Sequence, residues 1–225
     1  DKVKAKKKVA WIHTDYSNVS VFPEMELPVW DSFDYVASIS PDVTKTFLQV
    51  FPSLAPKIIE IENILSSTFV RYRADEIETT DNRQQTTDLN QQLSAIIHHP
   101  SSINLLSIGR FTNQKNFDNL PDICKKTLEL LKEKNIDVRW YIIGFGADEN
   151  LIRQKIAETG MQEHVIILGK KTNPYPYIKA CDIYVQPSRY EGKSVTVREA
   201  QMLCKPVVVT NYPTASSQIK NGDDG

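Results

Sequence analysis

Residues 180–211 read ACDIYVQPSRYEGKSVTVREAQMLCKPVVVTN, and this stretch decides the fold class. It contains a short apolar run at Ile183–Val185, a candidate helix near residues 195–204 and a second apolar run at Val207–Thr210. Proline and glycine residues punctuate the boundaries between these segments. A strand, a helix and a strand in this order predict a βαβ unit, in which the two strands lie parallel in one sheet.

The same alternation extends back along the chain to Ile103. It predicts further strands at Asn104–Ile108, Val138–Ile143 and Val165–Leu168, and further helices near residues 121–134, 148–159 and 174–180. Several of these strands are apolar at consecutive positions, which is typical of strands covered on both faces. We therefore predict an α/β fold whose doubly wound, parallel, Rossmann-like sheet binds ligands at the carboxyl ends of its strands.

The first part of the chain shows the same alternation of strands and helices less completely. Strands are predicted at Val9–His13, Tyr35–Ile39 and Ile58–Ile61, with a helix near Asp42–Val50. We predict three regions: a partial N-terminal α/β domain at 1–72, a polar connector at 73–102 and a C-terminal domain at 103–225. Apolar residues predict one short helix within the connector, namely Leu89, Leu93, Ile96 and Ile97. Because residue 1 is not Met and the closing NGDDG has no final element, we expect a fragment whose last domain is truncated.

Composition excludes several classes of protein. The 225 residues carry 27 basic and 28 acidic side chains, so the net charge of −1 argues against a broad nucleic-acid surface. No apolar run is long enough to span a bilayer, and the basic start lacks the apolar core and cleavage site of a signal peptide. Three cysteines without a CxxC pair favour a reducing, cytoplasmic setting. The lysine run at Lys2–Lys8 is first interpreted as a solvated tail, and weak contact with the inner face of a membrane is a further hypothesis.

Two loops carry residues suited to an anionic ligand. The first, SIGRFTNQKNF at 107–117, places Gly109, Arg110 and Lys115 after a strand, where two cations can hold a diphosphate. A solvated loop with scattered charges is an equally good interpretation of these residues alone.

The second loop runs through Gly192 into a helix, so the amides of Lys193, Ser194 and Val195 can point at an anion. Two glutamates, Glu191 and Glu199, flank this helix start, and carboxylates are natural acceptors for sugar hydroxyls. Each Glu also completes a capping box, with Ser188 and Thr196 respectively, and for either Glu taken alone a purely structural role as a helix cap is favoured.

In order, these elements resemble the C-terminal half of a retaining glycosyltransferase of family four, which has the two-domain GT-B architecture. The resemblance rests on SIGRFTNQKNF, YIIGFG, ILGKK, the stretch at 180–211 and IKNGDDG, and it covers about residues 103–225. VAWIHTDY, FDYVASISPDV and IIEIENI resemble the last strands of the family's N-terminal domain. The front of that domain is missing, so the fragment alone is expected to lack activity.

The resemblance implies a role for each candidate. Arg110 and Lys115 would neutralise the donor diphosphate, Glu199 would hold the ribose, and Glu191 and His13 would face the reacting sugar. Amides of Gly192–Val195 would bind phosphate or sugar oxygens, and Lys193 stands where the family often has an aromatic residue. The remaining substrate-binding candidates lie in loops after strands: Gly109, Gly144, Gly169 and Lys170. Cations and amides would stabilise the charge that develops on the departing phosphate.

The resemblance implies transfer of a hexose, with retention, from a UDP- or GDP-sugar to a glycan or polyprenyl-linked acceptor in capsule or other surface polysaccharide biosynthesis. The resemblance also implies chemistry that requires no metal, which agrees with the lack of an Asp-x-Asp or His-rich motif. A dehydrogenase is disfavoured because Gly144 and Gly146 are not followed by a third glycine; position 149 is Glu. A nucleotide-sugar epimerase and a non-catalytic sugar-nucleotide-binding module remain as alternatives.

Overall fold

The computed structural model describes residues 4–76 and 102–223, which fall into two compact units. One unit comprises the described part of Asp1–Ile64 together with Tyr190–Val195 and Asn211–Lys220. The other comprises the described parts of Leu65–Arg189, Thr196–Thr210 and Asn221–Gly225. The domain boundaries derived from the sequence stay predictions, and the short helix expected around residues 89–97 lies outside the described residues.

The first unit contains a parallel sheet of three strands in the order β1-β2-β3. Its elements are β1 (Val9–Ile12), α1 (Pro23–Asp31), β2 (Tyr35–Ser38), α2 (Pro41–Val50) and β3 (Ile58–Glu60). Helix α2 begins where the Ser40 hydroxyl accepts a hydrogen bond from the Val43 amide, and Pro41 occupies its first turn. Val43 and Phe47 of this helix are buried in the core of the unit. The three predicted strands and the α2 helix are confirmed.

The second sheet has five parallel strands in the order β6-β5-β4-β7-β8. They are β4 (Ser102–Ile108), β5 (Asp137–Ile143), β6 (Val165–Gly169), β7 (Ile183–Gln186) and β8 (Val207–Val209). The helices that follow α2 in the chain are α3 (Ser67–Asp75), α4 (Leu120–Leu131), α5 (Glu149–Thr159), α6 (Tyr175–Ala180) and α7 (Val195–Met202). The predicted parallel α/β architecture is therefore confirmed. Two helices, α1 and α3, were not predicted.

The strand order places a switch point between β4 and β7. From β4 the chain adds β5 and β6 on one side, and it then returns to add β7 and β8 on the other. The connections that leave β4 and β7 therefore run to opposite sides of the sheet, and in open α/β sheets ligands are expected at the carboxyl ends of the strands at such a point. Buried Ser107 in β4 braces this region, because its hydroxyl donates to the Val185 carbonyl (2.7 Å) and accepts from the Trp140 indole (2.9 Å). The carboxyl ends of β4 and β7 are therefore the first place to look for a ligand.

Candidate functional site

Three predicted glycines lie together at the carboxyl edge of the five-stranded sheet. The Gly109 amide donates to the Ile143 carbonyl and the Gly144 amide donates to the Gly169 carbonyl, both at 3.0 Å. A Cβ atom on Gly144 would lie 1.9 Å from the Gly109 carbonyl oxygen, so no larger residue fits without moving the backbone. Gly144 is thus required for the close approach of the loops that follow β4 and β5.

The loop after β4 places one cation beside these glycines and one in solvent. Lys115 is half-buried, and a Cβ on Gly109 would lie 3.2–3.3 Å from three of the Lys115 methylene carbons. Arg110 is exposed. The turn is shaped by Asn116, which has left-handed backbone (φ 62°) and whose side-chain Nδ2 donates to the Pro187 carbonyl at 2.9 Å. Asn116 therefore ties the β4 loop to the β7 loop, a role that was not predicted.

A third cation anchors the same loop. The Arg189 amide donates to the Gln114 carbonyl at 2.8 Å, and its guanidinium forms an ion pair with Asp118 at 3.0 Å. It also donates to the Asn113 carbonyl. Arg189 therefore stabilises the turn that carries Lys115.

Lys170 lies in the loop after β6, where its ammonium is 5.0 Å from the ring centroid of Phe145. Both side chains are exposed, and the distance is typical of a cation–π contact. Phe145 lies between Gly144 and Gly146, in the loop after β5. The flat ring at this edge was not predicted as a site residue, although an exposed aromatic between two glycines is a usable signal.

Glu199 is buried in α7, and Tyr175 of α6 donates its phenolic hydrogen to Glu199 Oε1 at 2.9 Å. Burial raises the pKa of Glu199, and the hydrogen bond from Tyr175 partly opposes this by lowering it. Burial, followed by the charge of Glu199, raises the pKa of Tyr175 to about 12, so the phenol stays protonated as a donor. The buried Glu199 carboxylate therefore accepts a hydrogen bond from a Tyr175 phenol that carries no charge.

The capping-box interpretations of the two glutamates are wrong. Thr196 lies inside α7 and its hydroxyl donates to Gln186, while the Glu199 carboxylate accepts from Tyr175. Between β7 and α7 the described chain forms no helix for Ser188 and Glu191 to cap. Both carboxylates therefore keep the ligand-binding interpretation that the sequence offered.

The loop that contains Glu191 and Gly192 belongs to the first unit, where it lies against the end of β1. A Cβ on Gly192 would lie 2.7 Å from the His13 carbonyl oxygen and 3.3 Å from Ile39 Cδ1. The structure thus brings the His13 backbone to Gly192, and the close approach that Gly192 permits is to protein. The His13 ring is exposed and stacks on Trp11, with centroids 6.0 Å apart.

Two groups expected to meet an anion have protein partners in this loop. The Ser194 amide donates to Gln218 Oε1 at 2.7 Å, and Gln218 Nε2 donates back to the Ser194 carbonyl at 2.8 Å. The Lys193 ammonium pairs with Glu62 at 2.5 Å, and the Lys193 side chain is only 9% exposed. Ser194 is therefore held by Gln218 in this structure, and the charge of Lys193 is partly neutralised. Val195 is the exposed first residue of α7.

Glu191 is itself buried, and the segment after β8 holds its backbone. The Thr214 hydroxyl donates to the Glu191 carbonyl at 2.8 Å. Tyr212 is also buried, and its hydroxyl has no hydrogen-bond partner within the described residues. Burial, and after it the negative charge of Glu191, raises the pKa of Tyr212. None of these partners carried a local sequence signal, since each acts across more than 20 residues of chain.

The structure also bears on metal and membrane binding. Across residues 4–76 and 102–223, no group of three or more His, Cys, Asp or Glu side chains is arranged to hold a metal ion. In the same ranges, every helix is too short or too polar to span a bilayer. The expectation of metal-independent chemistry stays a prediction.

The parallel sheets and the loops at their carboxyl edge together define a class of protein. It is the class of α/β proteins whose strands end in glycine-containing and cationic loops, which suit phosphate-containing ligands. The particular family follows from the sequence. Residues 94–225 match the model of "Glycosyl transferases group 1", and the chain belongs to that family.

Curated relatives match roughly half of the chain. An uncharacterised glycosyltransferase of Methanocaldococcus jannaschii is 30% identical over 114 residues, which is 51% of this chain and 27% of the relative. The N-acetylgalactosamine-N,N'-diacetylbacillosaminyl-diphospho-undecaprenol 4-alpha-N-acetylgalactosaminyltransferase of Campylobacter jejuni is 26% identical over 120 residues, which is 53% of this chain and 31% of the relative. The chain thus spans less than a third of the length of these two relatives.

Solved structures establish the fold. Anabaena HepE, in complex with UDP and glucose, superposes with a TM-score of 0.72 at 17% identity, covering 95% of this chain and 55% of HepE. S. aureus TarM superposes with a TM-score of 0.66 at 18% identity, covering 94% of this chain and 38% of TarM. The fold is of the GT-B glycosyltransferase type, as the resemblance implied.

Proposed function

We propose that this chain is part of a retaining hexosyltransferase that uses a UDP- or GDP-sugar donor and a glycan or polyprenyl-linked acceptor in surface polysaccharide biosynthesis. Its membership of a glycosyltransferase family is established above. The observation that carries the finer proposal is the edge formed by Gly109, Gly144 and Gly169, with Lys115 packed along Gly109. The Gly109 and Gly144 amides are already bonded to the Ile143 and Gly169 carbonyls, so what this edge offers a diphosphate is the Lys115 cation beside loops that carry no Cβ atom at Gly109 and Gly144.

We assign the donor nucleotide to groups in the second unit. Arg110 and Lys115 are the cations for the diphosphate, and exposed Arg110 is the more easily reoriented of the two. Glu199 accepts from the ribose hydroxyls, and Gly169 and Lys170 frame the base. Phe145 adds a flat face beside Lys170, on which a base can stack.

In the first unit, Glu191 is assigned to the hydroxyls of the transferred sugar and His13 to the reacting centre. The loop Gly192–Val195 contributes amides, with the correction that the Ser194 amide is already bound to Gln218. Lys193 is paired with Glu62, so its contact with an anionic sugar or phosphate requires that ion pair to open.

Catalysis in this proposal consists of stabilising the leaving group. The bond from the anomeric carbon to the diphosphate oxygen breaks, and the acceptor hydroxyl bonds to the same carbon on the same face. The hydroxyl proton passes to the departing phosphate oxygen, so atoms and charge balance without a nucleophile from the protein. Preorganised cations and amides stabilise the negative charge that grows on the phosphate. A glycosyl-enzyme adduct trapped by mass spectrometry would contradict this route.

Names of relatives support the acceptor class. The Campylobacter jejuni relative and an Escherichia coli relative are named for diphosphoundecaprenol-linked acceptors. A Rhizobium meliloti relative is named for lipopolysaccharide core biosynthesis and an Erwinia amylovora relative for amylovoran biosynthesis. We further propose that the protein acts at the cytoplasmic face of the membrane, with peripheral contact through Lys2–Lys8, a proposal that rests on the lysine run.

Calorimetry with UDP, GDP and NAD tests the donor assignment. We expect UDP or GDP to bind, NAD not to bind, and Arg110→Ala with Lys115→Ala to weaken binding by about 3 kcal/mol or more, because both contacts are to charged oxygens. The matched control is Lys125→Ala with Lys126→Ala, which removes the same charge from the exposed face of α4. Unchanged affinity in the loop variant, or equal losses in both variants, rejects the diphosphate assignment. The anomeric configuration of the product, read by NMR from the full-length enzyme, then distinguishes retention from inversion.

A further inference from the structure

The hydrogen-bond partner of Glu199 in α7 comes from another helix, α6. Tyr175, at the start of α6, donates its phenolic hydrogen to Glu199 Oε1 at 2.9 Å. A carboxylate has about four acceptor sites on its two oxygens, so one phenol leaves capacity for the hydroxyls of a ligand. The hydrogen bond from Tyr175 therefore restricts the rotation of the buried Glu199 carboxylate and leaves acceptor sites for a ligand.

Tyr175 is held in turn by α3. The Phe69 ring contacts the Tyr175 ring edge to face, with centroids 6.3 Å apart and planes at 85°. Buried Asn173 accepts from the Tyr175 amide at 3.3 Å through Oδ1, and its Nδ2 donates to the Arg73 carbonyl at 2.8 Å. Both the ring and the backbone of Tyr175 therefore depend on residues of α3.

The same helix contacts the far ends of α6 and α7. Arg71 donates through Nε to the Met202 carbonyl at the last turn of α7, at 3.2 Å. Such a carbonyl has no partner within its own helix, and a cation there also opposes the negative end of the helix dipole. Asp75 forms an ion pair with Lys179 in the last turn of α6. Helix α3 thus fixes α6 and α7 at several points, and the bond between Tyr175 and Glu199 joins these two helices.

We propose that Tyr175, braced by α3, is a positioning residue that orients the Glu199 carboxylate toward the ribose hydroxyls of the donor nucleotide. The inference rests on the proposed function, because it assumes that Glu199 binds ribose. It adds a requirement that the resemblance did not supply: ribose recognition depends on a residue of α6 and on a helix that precedes the second sheet.

The test compares two ligands in four variants of the whole chain. The ligands are the tighter-binding of UDP and GDP and its 2′,3′-dideoxy analogue, which lacks the ribose donors. The variants are Tyr175→Phe, Glu199→Gln, the double variant, and Tyr72→Phe as the matched control. Tyr72 is an exposed tyrosine of α3, so its substitution removes the same atom away from Glu199. Thermal unfolding checks that each variant is folded.

We expect the wild-type chain to prefer the ribose nucleotide and Glu199→Gln to abolish the preference. Tyr175→Phe should weaken binding of the ribose nucleotide about 10-fold and leave the dideoxy analogue nearly unchanged, because a hydrogen bond to a charged group is lost. In the Glu199→Gln background, Tyr175→Phe should cause little further loss. If Tyr175→Phe proves unstable, Phe69→Leu loosens the brace and keeps the hydroxyl, and it should reduce the preference by a smaller factor.

Two results overturn the inference while the proposed ribose contact survives. One is a Tyr175→Phe variant that keeps the full wild-type preference, and the other is an equal loss for both ligands, which indicates a general structural effect. A wild-type chain without any preference, or a Glu199→Gln variant that keeps it, removes the ribose assignment itself and the inference with it. Those outcomes are visible before Tyr175 is changed, so the two failures are distinguishable.

Discussion

The surroundings of Glu199 have opposing effects on the pKa of its carboxyl group. Burial raises its pKa above the ordinary value of 4.5, and the bond from Tyr175 only partly offsets this. A carboxyl group with a raised pKa holds its proton more tightly in the folded chain than in the unfolded chain. The free energy of unfolding therefore falls as the pH rises above about 4.5 through the raised pKa. Such a group is maintained at a cost in stability, which is common for residues that bind ligands.

We predict that Glu199→Gln increases the free energy of unfolding at pH 7, because Gln keeps an acceptor for Tyr175 and carries no charge to desolvate. At about pH 4 the gain should shrink, since Glu199 is then mostly protonated in both states. Denaturant unfolding at the two pH values measures both effects. The matched control is Glu158→Gln. Hydrogen bonds from Gln154 and then Lys155 lower the pKa of the exposed Glu158 carboxyl group. Its substitution should therefore slightly lower the free energy of unfolding at pH 7. A loss of stability in Glu199→Gln at pH 7 contradicts the prediction.

One buried hydroxyl of strand β4, that of Ser107, is bonded to both neighbouring strands. We predict that Ser107→Ala lowers the free energy of unfolding by about 1–3 kcal/mol, because the Trp140 indole hydrogen then stays buried without an acceptor. Urea unfolding measures the loss. The control is Thr127→Ala on α4, whose hydroxyl bonds to a carbonyl of its own helix and should matter little. In a Trp140→Phe background the cost of Ser107→Ala should shrink, and an equal cost in both backgrounds contradicts this explanation.

Elements buried on one or both faces were predictable from the sequence, and elements with little burial were not. The eight strands within residues 4–76 and 102–223 were anticipated because each contributes buried or partly buried apolar residues. Helix α1 has no buried residue and contains Pro28, so no apolar period or clear boundary marks it. Helix α3 buries only Val70 and Ala74, and its polar remainder resembles a connector. Its importance comes from contacts with α6 and α7, which no local pattern records.

The positions of the loops were predictable from the sequence. The hydrogen-bond partners of the residues that lie in or next to these loops were not. Gly109, Gly144 and Gly169 follow from the rule that parallel strands end at one edge, because the rule needs only strand positions. The partners of Glu199 and Ser194 lie 24 residues away in each case, and they depend on how loops and helices pack. Sequence reasoning therefore located the edge and missed the groups that hold it in shape.

The distribution of charge over the whole chain leads to the last prediction. The total is −1, so attraction to an anionic membrane must come from a local patch, and each lysine near such a surface contributes about 1 kcal/mol. Lys7 and Lys8 already contact Asp34, through the Lys7 ammonium and the Lys8 amide, and the Lys7 bond raises the pKa of that lysine. Lys4 and Lys6 are exposed and can be changed without disturbing Asp34.

We predict that Lys4→Gln with Lys6→Gln reduces co-sedimentation with anionic liposomes about 10-fold or more, because roughly 2 kcal/mol of attraction is removed. Lys125→Gln with Lys126→Gln changes the net charge equally at α4 and should leave sedimentation nearly unchanged. Added salt should weaken the wild-type interaction, since exposed charges are screened within about 10 Å at 0.1 M ionic strength. Equal losses in the two variants would mean that net charge and not the N-terminal run drives binding, and no loss in either would leave the lysine run as a solvated tail.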